Sequence, residues 1–128
     1  MRVLLDTHTL LWSVNHPALL SGQASEIIGD ERNVIFVSAA SAWEISTKVR
    51  LGRLPGAVII ERNFEATMDL AGYTLVAIEG SVAIRAGRFT AAHRDPFDRI
   101  IAAQALTFDI PILSVDTKLD AFGIQRIW

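Results

Sequence analysis

The chain has 128 residues, 51% of them hydrophobic and 20% charged, which excludes a disordered polymer and suits one folded domain spanning residues 1–128. The net charge is −2, which argues against a nucleic-acid binder that uses its whole surface. It contains no cysteine, which excludes disulfides and thiolate zinc sites and fits the cytoplasm.

The elements follow in chain order. Residues 2–5 read as a short buried strand, and a helix is expected from about Thr7 to Val14. Ser21 can cap a second helix running to about Asp30. Val34 to Val37 is a second apolar strand. Ser38 then caps a helix that runs to about Leu51 and stops at Gly52. Pro55 and Gly56 make a turn, residues 58–71 read as one helix, and Gly72 closes it. Residues 75–78 form a third strand and 81–89 a short helix. Asp95-Pro96 is a cap with proline at the first helical position, opening a helix to about 107. Residues 112–115 form a fourth strand, and 124–127 an edge strand. The strands are apolar throughout, with no alternation, as in sheets covered on both faces. Strands alternate with helices. The expected fold class is therefore α/β, a three-layer helix-sheet-helix domain with a mostly parallel sheet of four to five strands. Strand order is not legible from the pattern.

Two apolar strands end in an aspartate: Leu4-Leu5 runs into Asp6, and Ser114-Val115 runs into Asp116. Parallel sheets bind ligands just outside the carboxyl ends of their strands. Each aspartate also has a plain structural role as a helix cap. Glu44 sits among apolar residues in the second turn of its helix and needs a partner or a cleft. Asp95 and Asp98 lie three apart, so Asp95 is expected to cap and Asp98 to face the site. Four carboxylates in one cleft repel one another unless a cation lies between them. Oxygen donors without cysteine favour Mg2+ or Mn2+. Such an ion suits phosphodiester hydrolysis, because it activates water and neutralises phosphoryl charge. Thr7, Thr9, Ser38 and Ser114 can orient the carboxylates by hydrogen bonds. Arg99 is expected to pair with a carboxylate or to meet phosphate. Arg85, Arg88 and Arg94, with Lys48, Arg50 and Arg53, form candidate basic clusters. His8, His16 and His93 read as packing or loop residues. The mean hydropathy of +0.34 is high for a small soluble protein and hints at apolar surface kept for a partner.

These segments resemble a PIN-domain nuclease of the VapC toxin type. The resemblance covers nearly the whole chain. It rests on Leu4-Leu5-Asp6-Thr7-His8, on 38–52 with Trp43-Glu44-Ile45, on 93–99 with Asp95-Pro96-Phe97-Asp98-Arg99, and on Leu113-Ser114-Val115-Asp116. It implies that Asp6, Glu44, Asp98 and Asp116 surround one or two Mg2+ or Mn2+ ions. It also implies endonucleolytic cleavage of RNA, a homodimer, and a cognate antitoxin protein that covers an apolar groove. The RNA would be single-stranded or looped, where bases are accessible. His8 stands where many relatives carry asparagine. Two rival readings are an aspartate-based phosphatase or phosphotransferase with Asp6 as nucleophile, and a non-catalytic protein-binding module. No segment reads as a membrane span or a secretory signal.

Overall fold

The computed structural model describes all 128 residues. The sheet forms where the sequence is continuously apolar: β1 (Arg2–Leu5), β2 (Val34–Ser38), β3 (Thr74–Val76), β4 (Ile112–Leu113) and β5 (Arg126–Ile127). The strand order is β3-β2-β1-β4-β5. Every pairing is parallel. The central strand β1 aligns Val3 with Ile35 and Leu5 with Val37 on one side, and Leu5 with Leu113 on the other. The chain thus winds outward from β1 to β3, then crosses back to β4. The switch point lies between β1 and β4, where a ligand crevice forms in open parallel sheets.

Successive side chains of β1 leave the sheet on opposite faces. Val3 and Leu5 enter a core with Ile35, Val37, Leu10, Ile45, Ile60 and Met68. Leu4 enters a second core with Ile101, Ala102, Ala105, Ile112, Leu119 and Phe122. The first core is covered by α1 (Thr7–Asn15), α2 (Gly22–Gly29), α3 (Ala39–Arg50), α4 (Val58–Arg62) and α5 (Phe64–Ala71). The second is covered by α7 (Pro96–Phe108), with α6 (Gly80–Arg88) packed outside it. The three-layer α/β expectation is met, with five strands, all parallel.

The edge strand expected over 124–127 shortens to Arg126–Ile127, and three other boundaries move. The helix read over 58–71 is two helices broken at Asn63, whose side-chain amide donates to the Ile59 carbonyl at 3.0 Å. A side chain that binds nearby backbone competes with the helical ladder. Strand β3 stops at Val76 instead of 78, and the Ala77 carbonyl accepts from the buried Gln104 of α7 at 3.1 Å. Strand β4 stops at Leu113 instead of 115; the Ser114 N–H still donates to the Ile127 carbonyl at 3.1 Å, while its hydroxyl turns to Asp6.

Candidate functional site

Asp6 follows β1 at the switch point and is only 5% exposed. It caps α1: one carboxylate oxygen accepts from the Thr9 N–H at 2.7 Å. The other accepts from the Ser114 hydroxyl. The same hydroxyl oxygen accepts the Asp116 N–H at 3.0 Å. Ser114 therefore links the ends of β1 and β4 and fixes both aspartates to one edge of the sheet. Asp116 in turn caps the 3-10 turn Thr117–Phe122, accepting the Lys118 N–H at 3.0 Å. The capping roles and the placement at the switch point coexist.

Glu44 is carried in by α3, which Ser38 caps through the Ala40 N–H. Its side chain is buried and forms an ion pair with Lys48, one turn on. Ser41 lies one turn before Glu44, and its hydroxyl is 3.0 Å from that of Thr7. This bond ties the start of α1 to the turn of α3 that presents Glu44. On the far side, Trp43 meets Phe97 edge-on, with ring centroids 4.5 Å apart, and ties α3 to α7.

Asp95 caps α7, accepting from the Phe97 N–H at 2.9 Å and the Asp98 N–H at 3.2 Å. Asp98 sits in the first turn behind it. Burial pushes its carboxyl up to about 6; a hydrogen bond from His93 opposes this, and the charges of Asp95 and Glu44 add to it. Asp98 and Glu44 thus repel across the gap between α7 and α3. The His93 Nε2 lies 2.8 Å from the Asp98 carboxylate.

Asp95 caps α7 and the Ser114 hydroxyl bonds Asp6, but the other hydroxyls expected to orient carboxylates do not reach one: that of Thr7 bonds Ser41, that of Ser38 caps α3, and that of Thr9 is buried with no hydrogen-bond partner. Arg99 reaches no carboxylate either. Its guanidinium donates to five main-chain carbonyls, those of Ala86, Gly87, Phe89, Ala91 and His93, at 2.7–3.5 Å. A guanidinium has five N–H donors, so none is left for a carboxylate or a phosphate. Arg99 is a clamp on the 86–93 segment and holds the backbone from which His93 reaches Asp98. Of the expected basic rim, Arg88 and Arg94 are exposed, and Arg85 bonds the Thr107 hydroxyl at 3.3 Å. His8 is exposed and packs on Trp12, in keeping with a surface role.

Two partners were not anticipated from the sequence. The Lys48–Glu44 pair was legible, since Glu-x-x-x-Lys spacing faces the two side chains on a helix. The His93–Asp98 contact had no local signal, because it depends on the clamped loop folding back.

No three of these acids, with or without histidine, are gathered at metal-ligating distance. Each is turned to its own partner: Asp6 to the Ser114 hydroxyl, Glu44 to the Lys48 ammonium, Asp98 to the His93 ring and Asp116 to the backbone N–H of Lys118. The donor set still fits a hard divalent cation, being all carboxylate with hydroxyls behind it. The raised Asp98 carboxyl marks the electrostatic deficit that a cation would remove.

A doubly wound parallel sheet with acids at the ends of its two switch-point strands and on the helices beside them defines a class of α/β domain with its site at the sheet's carboxyl edge. The chain belongs to the PIN domain family, whose model matches residues 3–124. A 43-residue stretch is 51% identical to Ribonuclease VapC16 of Mycobacterium tuberculosis (strain ATCC 25618 / H37Rv), covering 31% of this chain and 30% of that protein. The fold is also that of VapBC2 from Rickettsia felis bound to a DNA fragment from its promoter (TM-score 0.70, 14% identity, 99% of this chain and 98% of that one). FitAcB from Neisseria gonorrhoeae has a TM-score of 0.66 at 20% identity, over 98% and 96% of the two chains. At these identities the likeness to the solved structures is one of fold.

Proposed function

We propose that this protein is a divalent-metal-dependent endoribonuclease and the toxin of a toxin–antitoxin pair. What supports the reading is a PIN domain in which Ser114 links Asp6 and Asp116 across the adjacent strands β1 and β4, while the charge of Glu44 acts on Asp98. The short match to a ribonuclease supports the substrate class. The fold shared with VapBC2 and FitAcB supports a protein partner, the cognate antitoxin.

Asp6, Glu44, Asp98 and Asp116 would hold Mg2+ or Mn2+. When bound, the ion supplies a more acidic water and neutralises charge on the phosphoryl oxygen. The chain's own part is orientation. The Thr9 N–H and the Ser114 hydroxyl fix the rotamer of Asp6. His93 fixes Asp98. The exposed Arg88 and Arg94 offer sequence-independent contacts to the RNA backbone. Single-stranded or looped RNA is the substrate, the active form is a homodimer, and the setting is the cytoplasm. No helix is long and apolar enough to cross a membrane. The phosphatase alternative gains no support: both oxygens of Asp6 are engaged, and His8, two residues on, packs against Trp12.

Glu44→Gln tests the reading. Cleavage of a mixed RNA pool in Mg2+ or Mn2+ is expected to disappear, with an unchanged far-ultraviolet circular dichroism spectrum. Cleavage retained by a clean preparation of the variant refutes the assignment.

A further inference from the structure

We propose that Lys48 is an internal counter-ion for Glu44, which a divalent cation must displace before that carboxylate can serve as a ligand. The inference rests on the metal-dependent reading above. Glu44 is 3% exposed, and a carboxylate so buried requires a partner. The neighbouring hydroxyl of Ser41 is engaged with Thr7, and the charge of Asp98 repels that of Glu44. Lys48 alone brings a positive charge to it. The Lys48 side chain is itself 25% exposed, so its stem leads out toward solvent. A lysine suits a displaceable partner: its ammonium is a compact charge on a flexible stem, without the bidentate grip of a guanidinium. The ammonium and a cation would compete for the same carboxylate, so the ion pair lowers metal affinity by its own strength.

A plain helix staple makes a different prediction, since it would stabilise the metal-free and metal-bound states alike. Mn2+ titration calorimetry and thermal melts in chelator separate the two. Lys48→Met is expected to bind Mn2+ roughly tenfold more tightly than the wild type, because a neighbouring positive charge and a competitor are both gone. In chelator it is expected to melt roughly 5–10 °C lower, because Glu44 is left buried and unpaired. Lys48→Arg keeps the charge and holds the carboxylate harder, so Mn2+ is expected to bind about threefold more weakly. Equal or weaker Mn2+ affinity in folded Lys48→Met overturns the proposal. If that variant does not fold, unchanged or tighter binding by Lys48→Arg overturns it. A wild type that binds no Mn2+ removes the metal-dependent reading itself, and with it this inference.

Discussion

Burial and like charge meet at Asp98, whose carboxyl is raised to about 6 from an ordinary 3.8. Between these two values the native chain holds a proton that the unfolded chain has released. Without metal, stability must therefore fall as pH rises through roughly 4 to 6 and stay reduced above that window. The carboxyl is partly open to solvent, so the full effect of the shift is discounted to about 1–2 kcal/mol. Asp98→Asn should remove this penalty. Urea unfolding in chelator is expected to find the variant more stable than the wild type at pH 7.5, with the gap closing near pH 4.5. A variant less stable at pH 7.5 would show that the His93 contact outweighs the repulsion. Asp116 is a poorer choice for such a test, since its carboxylate also caps the turn that follows.

Capping organises the elements around the site, and Asp6, Ser38, Asp95 and Asp116 each start the segment that follows them. An acid that caps is held rigidly at a strand end, which also suits a ligand. The opposite end of α7 carries a local cost: Asp109 is the only non-glycine residue in the left-handed region, with φ of 54°. Glycine adopts that conformation without penalty at helix C-termini. Asp109→Gly is expected to stabilise the protein by about 0.5–1 kcal/mol and to raise the melting temperature by roughly 2–4 °C. The residue is exposed and sits away from the acids, so RNA cleavage should not change. An unchanged or lower melting temperature would contradict this account of the α7 terminus.

Across the whole molecule, the high mean hydropathy is matched by large apolar side chains left in solvent, among them Trp43, Ile59, Leu70 and Ile84. The acids form a second global feature, because they come from both halves of the doubly wound sheet. A cation binding there couples the halves and should stabilise the fold as a unit. At about a hundred times its Kd, Mn2+ would add about 2.7 kcal/mol, a rise in melting temperature on the order of 10 °C. Asp6→Asn should abolish that rise. Wild-type melts unmoved by millimolar Mn2+ would instead favour a protein-binding module with acids as caps.

Much of the fold was legible in the residues. Continuous apolar runs such as Val34-Ile35-Phe36-Val37 mark doubly covered strands, and Ser21, Ser38 and Asp95 mark helix starts through their short oxygens. Asp6 and Asp116 stood out because strand ends are poor places to pack a carboxylate, and Glu44 because it sits among apolar residues of its helix. The partners of those acids were another matter. Arg99 read as a phosphate or carboxylate contact, yet it closes five carbonyls of a loop, because a guanidinium's destination depends on which backbone lies within its reach. His93 meets Asp98 only because that loop folds back. The sequence by itself determined the parallel α/β class, the caps and the candidate acids, since these follow from local periodicity and side-chain chemistry. Tertiary structure alone decided the order β3-β2-β1-β4-β5, the meeting of Asp6 and Ser114 across 108 positions, and the contact of His93 with Asp98. Strand order and long-range pairing are set by packing between distant segments, which no local stretch of chain encodes.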